Sequence, residues 1–69
     1  MQHVKRKRLK LRDGRGTGIY FLDFIKEDGE IWVVLKSDDG CYIDDFYLSR
    51  EKANEMSHIL LEIAKELGG

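Results

Sequence analysis

Polar and apolar positions alternate through Leu9-Lys10-Leu11-Arg12, as expected of a strand with one face in water. The stretch VKRKRLKLR, residues 4–12, is read as that first strand. DGRGTG (13–18) is a turn, because its three glycines reach positive φ without a Cβ clash. IYFLDFI (19–25) is dense in aromatic and β-branched residues and reads as a central strand. Asp28-Gly29 is a hairpin signal between two apolar runs, leading into IWVVLK (31–36). After SDDG, CYIDDFYL (41–48) reads as a fourth strand that Asp44 and Asp45 interrupt, and a bulge there would let both aspartates reach solvent.

Beyond Leu48 the period changes from two to about 3.6 residues. Ser49 suits an N-cap, and Glu51 falls in the first turn, where negative charge is favourable. Ala53, Met56, Leu60, Ile63, Ala64 and Leu67 line one helical face, and Gly68-Gly69 stops the helix. The pattern predicts an α+β fold: a four-stranded antiparallel meander followed by one C-terminal helix (β-β-β-β-α). One domain spans 1–69, with the sheet over 4–48 and the helix over 49–67.

Side-chain alternation divides the sheet into two faces. Leu9, Leu11, Tyr20, Leu22, Phe24, Ile31, Val33 and Leu35 share one, the expected bed for the helix. Arg6, Arg8, Lys10, Arg12, Ile19, Phe21, Ile25, Trp32, Val34 and Lys36 share the other, where a basic edge runs into aromatic rings. Strand four can be assigned to either parity.

Charge sharpens this picture. Residues 1–16 carry seven basic side chains against Asp13 alone, whereas residues 17–69 carry five basic and twelve acidic ones. The net charge of −1 therefore hides a dipolar layout, and an acidic body requires the first strand to lead any contact with a polyanion. A 69-residue chain is small enough to be marginal alone. Its one cysteine, Cys41, excludes an internal disulfide, and no Cys/His cluster has zinc-site spacing. Oligomerisation is the remaining support, and a homodimer is expected. With about 100° per residue, Ile59 and Leu61 project to opposite flanks of the helical stripe and are the expected dimer contacts. The absence of a signal-peptide pattern, of a long apolar run and of paired cysteines predicts a cytoplasmic or nucleoid-associated protein, not a membrane one.

Catalytic signals are weak. GRGTG lacks the spacing of a phosphate loop and opens a strand rather than a helix. The adjacent aspartates Asp38-Asp39 and Asp44-Asp45 suit solvation and turns better than a hard cation, since neighbouring carboxylates on a strand point apart. His3 and His58 have no evident partner, and Cys41 is expected to be a buried, inert thiol. No triad or acid pair emerges, so a non-enzyme with no cofactor, no metal and no small-molecule substrate is expected.

Cations that follow phosphates, beside flat rings that accept unstacked bases, are what single-stranded nucleic acid requires. Lys5, Arg6, Arg8, Lys10, Arg12, Arg15 and Lys36, with Phe21 and Trp32, are the candidate contacts. Two blander readings stand beside this one: lysine-rich edge strands protect sheets from aggregation, and Trp32 could seal a subunit interface. The run GRGTGIYFLDFIKEDGEIWVVLKS resembles the Gly-Arg, Tyr-Phe, Asp and Lys-Glu signature of the PUR-alpha repeat family. YLSREKANEM resembles the strand-to-helix junction of the transcriptional coactivator positive cofactor four. The resemblance implies a β-β-β-β-α unit that dimerises and binds single-stranded DNA or RNA on its sheet, through strand one, Phe21 and Trp32. CYIDDFYL departs from it, being acidic where the coactivator family has a basic, glycine-containing approach to the helix. A small dimeric single-stranded DNA- or RNA-binding protein is thus expected. The alternatives are a protein-interaction module or small regulator docking an acidic partner, and a duplex binder that inserts the basic strand as a ribbon.

Overall fold

The computed structural model describes residues 6–68. Four strands, β1 (Arg6–Arg12), β2 (Ile19–Lys26), β3 (Glu30–Ser37) and β4 (Tyr42–Ser49), form one antiparallel sheet in the order β1-β2-β3-β4. A single helix, α1 (Arg50–Gly68), follows. This is the predicted α+β meander with its C-terminal helix. Residues 4 and 5, expected to begin the first strand, lie outside the described residues.

Each turn has a local cause. Asp13 organises the β1–β2 connection: its carboxylate accepts from the backbone N–H groups of Arg15 (3.1 Å) and Thr17 (3.0 Å). Its own N–H donates to the Gly18 carbonyl at 3.0 Å. That closure sets the register Arg12↔Ile19, and with it Arg8↔Asp23 four residues further along. The β2–β3 hairpin closes between Glu27 and Glu30 around Asp28-Gly29. Gly29 sits at φ +74°, a conformation other residues rarely adopt.

β4 carries the irregularity. Leu35 pairs with Asp44 and Lys36 with Tyr42, so Ile43 is an extra residue on β4. A bulge reverses side-chain parity across it. Tyr42 therefore joins Asp45 and Tyr47 on the basic face, while Asp44, Phe46 and Leu48 lie on the apolar one. The expected bulge is present, but it separates the two aspartates: Asp45 is half-buried and Asp44 exposed.

Ser49 caps α1 by accepting from the Lys52 N–H at 3.1 Å. Glu51 in the first turn and Lys65 in the last complement the helix dipole. The packing of α1 corrects the expectation that it covers the apolar sheet face. Its contacts with strands are confined to β3 and β4, and none of its residues is buried. The cause is the junction: β4 ends at Ser49 and α1 begins at Arg50. With no linker to turn in, α1 continues outward from the β4 end. The radius of gyration is 13.8 Å, against roughly 11 Å for a compact chain of this length.

The few buried side chains are consequently in the sheet: Val33 on the apolar face, and Asp23, Ile25 and Val34 on the basic one.

Candidate nucleic-acid interface

The basic face is organised around a residue that the sequence reading left out. Asp23, at the centre of β2, is fully buried, and the register sets it between Arg8 on β1 and Val34 on β3. Arg8 donates twice to its carboxylate, from Nε at 2.7 Å and from a terminal nitrogen at 3.0 Å. Lys36 Nζ approaches Oδ2, the oxygen that also accepts from the Arg8 terminal nitrogen, at 3.2 Å. A buried carboxylate needs such compensation, and two cations supply it. The Arg8 hydrogen bonds, with smaller help from Lys36, outweigh desolvation and lower the Asp23 pKa to about 2.

The sign of the resulting pH effect follows. A carboxylate with a folded pKa below its unfolded one adds stability that is complete above the unfolded value and vanishes as pH falls through the folded one. We expect the Asp23 contribution to disappear between about pH 4 and pH 2. Urea midpoints measured across that window check it: Asp23→Asn should flatten the acid limb, and an unchanged limb would refute the assignment.

The expected contact residues divide into two groups. Arg8 and Lys36 are structural first, committed to Asp23. Arg6, Lys10 and Arg12 are exposed, share the basic face with Arg8 through their pairing with Ile25, Phe21 and Ile19, and have no ion-pair partner among the described residues. Successive members of the row stand two residues apart, about 6.8 Å along an extended strand. A shallow depression of about 420 Å³ lies at the end of this row, between Lys10, Arg12 and the Gly16–Gly18 turn. Arg15 is exposed in the same turn. Lys5 lies outside the described residues.

The rings are distributed differently from expectation. Phe21 is half-buried, with the Arg8 guanidinium 4.8 Å above its centroid. One side of that ring is thus already occupied by a cation–π contact, and the guanidinium itself is the surface offered there. Trp32 stacks on Tyr47 instead, with centroids 6.1 Å apart and planes inclined by 11°. Asp45 fixes the pair from beside it. It accepts from Trp32 Nε1 at 2.7 Å and from the Tyr42 hydroxyl at 2.5 Å. These two bonds lower the Asp45 pKa, that from Tyr42 most, and the hydrogen bond to Asp45 pushes the Tyr42 hydroxyl up to about 12. Tyr42, Asp45 and Tyr47 are the functional candidates missed in the sequence. The bulge at Ile43 hid the shared face of Tyr42 and Tyr47, one even-numbered and one odd.

Ile59 and Leu61, the expected dimer contacts, are 56% and 64% exposed. So is the centre of the stripe, since Leu60 is 60% exposed, because α1 leaves the sheet rather than lying on it. Cys41 also departs from expectation. It is exposed in the β3–β4 turn, where hydrogen bonding to Asp39 and the charge of that carboxylate raise its pKa and keep the thiol protonated.

Among the described residues no group of three or more His, Cys, Asp or Glu side chains gathers as a metal site. No described helix is long and apolar enough to cross a membrane. No protein-family model, curated protein or solved structure matches the chain.

Proposed function

We propose that this chain is a small, non-enzymatic protein of the cytoplasm or nucleoid that binds single-stranded DNA or RNA as a homodimer, in the manner of the PUR-alpha and positive-cofactor-four sheets it resembles. One observation carries the reading. A row of exposed cations (Arg6, Lys10, Arg12) and a stacked pair of rings (Trp32, Tyr47) lie on the same sheet face, joined by the Arg8–Asp23–Lys36 cluster. Phosphates follow the β1 edge while bases reach the rings on β3 and β4. The buried carboxylate locks two of the cations in place, so less side-chain entropy is lost on binding. Asp45 does the same for the Trp32 ring.

The direct test is a titration with an oligothymidine at several salt concentrations, followed by the emission of Trp32. We expect a saturable change that weakens steeply with salt. Tighter binding of a duplex of equal length would favour the major-groove reading. Equal competition by polyglutamate would favour a module that docks acidic proteins. No spectral change at low salt would reject the site.

Trp32→Ala separates stacking from charge. Losing one stacked base costs about 1–3 kcal/mol, roughly a five- to hundredfold weaker affinity, while the salt slope stays constant because stacking releases no counterions. A variant that instead loses its dimer by sedimentation would assign Trp32 to packing.

A further inference from the structure

The two outer strands of the sheet carry opposite charge. β1 and β4 are its edges, and among the described residues no strand pairs with the outer side of either. β1 has five cations in seven residues and no carboxylate. β4 has two carboxylates, Asp44 and Asp45, and no cation. An edge with unpaired backbone groups is a template for another strand, and charge is a common guard against it. The cations of β1 guard it against a second β1, but not against an acidic strand.

Strand polarity decides how the two edges can meet. Three antiparallel pairings separate β1 from β4, so these strands run in opposite directions. A second copy set beside the first in the same orientation therefore brings its β1 antiparallel to β4. Its cationic face then stays on the same side of the sheet. We propose that copies of this chain associate head to tail, the sheet continuing from β4 of one copy to β1 of the next. The contact joins unlike edges, so it is distinct from the homodimer of the functional reading, and it needs no ligand.

Charge selects this pairing over its alternatives. On the cationic face β4 presents Tyr42, Asp45 and Tyr47, and the two tyrosines are 60% and 52% exposed. β1 presents a cation at every position on that face: Arg6, Arg8, Lys10 and Arg12. Any register that keeps the faces aligned thus sets Asp45 opposite a cation, and at least one tyrosine ring opposite another. Opposite charges across strands stabilise a pair, like charges destabilise it, and a cation over a ring is attractive. The partners retain capacity for the contact. Arg8 spends two of its five donors on Asp23, and each Asp45 oxygen has accepted one bond. Pairing β1 with β1 would oppose cations at each of those positions, and pairing β4 with β4 would gather four carboxylates at one short seam. On the other face, the exposed Leu9 and Phe46 fall together at the seam. A seven-residue edge is about 24 Å long, a small interface, so the association is weak and depends on concentration. Unlike edges leave one of each kind free at the ends, so the assembly grows rather than stopping at two chains.

Sedimentation of the parent chain without nucleic acid tests the growth. From micromolar to millimolar concentration at low salt, we expect a weight-average mass that keeps rising, and that falls back in molar salt as screening weakens the charge pairs. A mass that stops at two chains would leave the homodimer standing and overturn this contact. A monomer throughout would overturn both. Arg6→Glu with Lys10→Glu sets acidic β1 against acidic β4 and should abolish the growth. The fold should be spared, since both side chains are exposed and have no ion-pair partner among the described residues. Growth equal to that of the parent would overturn the proposal. Cross-linking identifies the edges. In a Cys41→Ser background, one chain carries Lys10→Cys on β1 and a second, affinity-tagged chain carries Tyr42→Cys on β4. With a short bismaleimide we expect mixed links. Predominant self-linking of either chain would mean that like edges meet, and would overturn the proposal. No nucleic acid is present in these measurements, so a failure of oligothymidine binding leaves their outcome unaffected.

Discussion

Alanine at Arg6, Lys10 and Arg12 together is expected to weaken oligothymidine binding about a hundredfold at 0.1 M salt. Each single-strand phosphate contact contributes about 0.7 to the slope of log affinity against log salt. Three lost contacts reduce that slope by about 2. One decade below molar salt, that corresponds to about two decades of affinity. The loss should be nearly the same for every sequence tested, because phosphate contacts read no bases. The fold should be spared: all three side chains are exposed and none has an ion-pair partner among the described residues. A triple variant with the parent's slope would show that the ligand, if there is one, lies elsewhere. Arg8→Ala makes an informative contrast, since it removes a cation from the same row and also the larger part of the support of Asp23.

The second large effect is on stability. Asp23→Ala should cost about 2–3 kcal/mol, measured by urea unfolding at fixed protein concentration. Removing one member of a buried ion pair typically costs about 3–5 kcal/mol, because the other charge is left stranded. Here the stranded charges are cations with an exit: the Arg8 side chain is 45% exposed and that of Lys36 24%. They can turn to water, and the cost falls below that range. A double-mutant cycle with Arg8→Ala should give a coupling above about 1 kcal/mol, as expected for direct partners. Additive losses would mean that Asp23 is held by something other than Arg8. The proposed dimer would add to apparent stability by mass action, so every variant must be compared at one protomer concentration.

The two predictions probe different layers of one surface. The first concerns charges left free for a ligand, the second the charge that aligns their neighbours. Ring orientation follows the same logic toward the β4 edge of the same face, where Asp45 holds Trp32 and Tyr42. Carboxylates on the face proposed to meet a polyanion would ordinarily repel it. Here both are occupied by donors from the face itself, which reduces their reach into solvent.

Local chemistry was legible along the chain. Alternation placed β1, apolar β-branched and aromatic runs placed β2 and β3, and Ser49 placed the start of α1, because each of these signals depends on neighbours within a few residues. The shared face of Arg6, Arg8, Lys10, Arg12, Phe21, Trp32 and Lys36 was legible too, since period-two alternation holds wherever a strand is regular. Tertiary structure decided the rest. Asp23 reads as one polar residue in an apolar strand until the register brings Arg8 and Lys36 to it from either side. That register depends on the closure of the 13–18 turn by Asp13. Tyr42 and Tyr47 share a face only because Ile43 bulges out and reverses the alternation. The helical stripe announced that α1 must be covered, but periodicity carries no information about direction. The direct passage from Ser49 to Arg50 leaves the helix in contact with β3 and β4 alone, so its apolar stripe stays exposed on this chain.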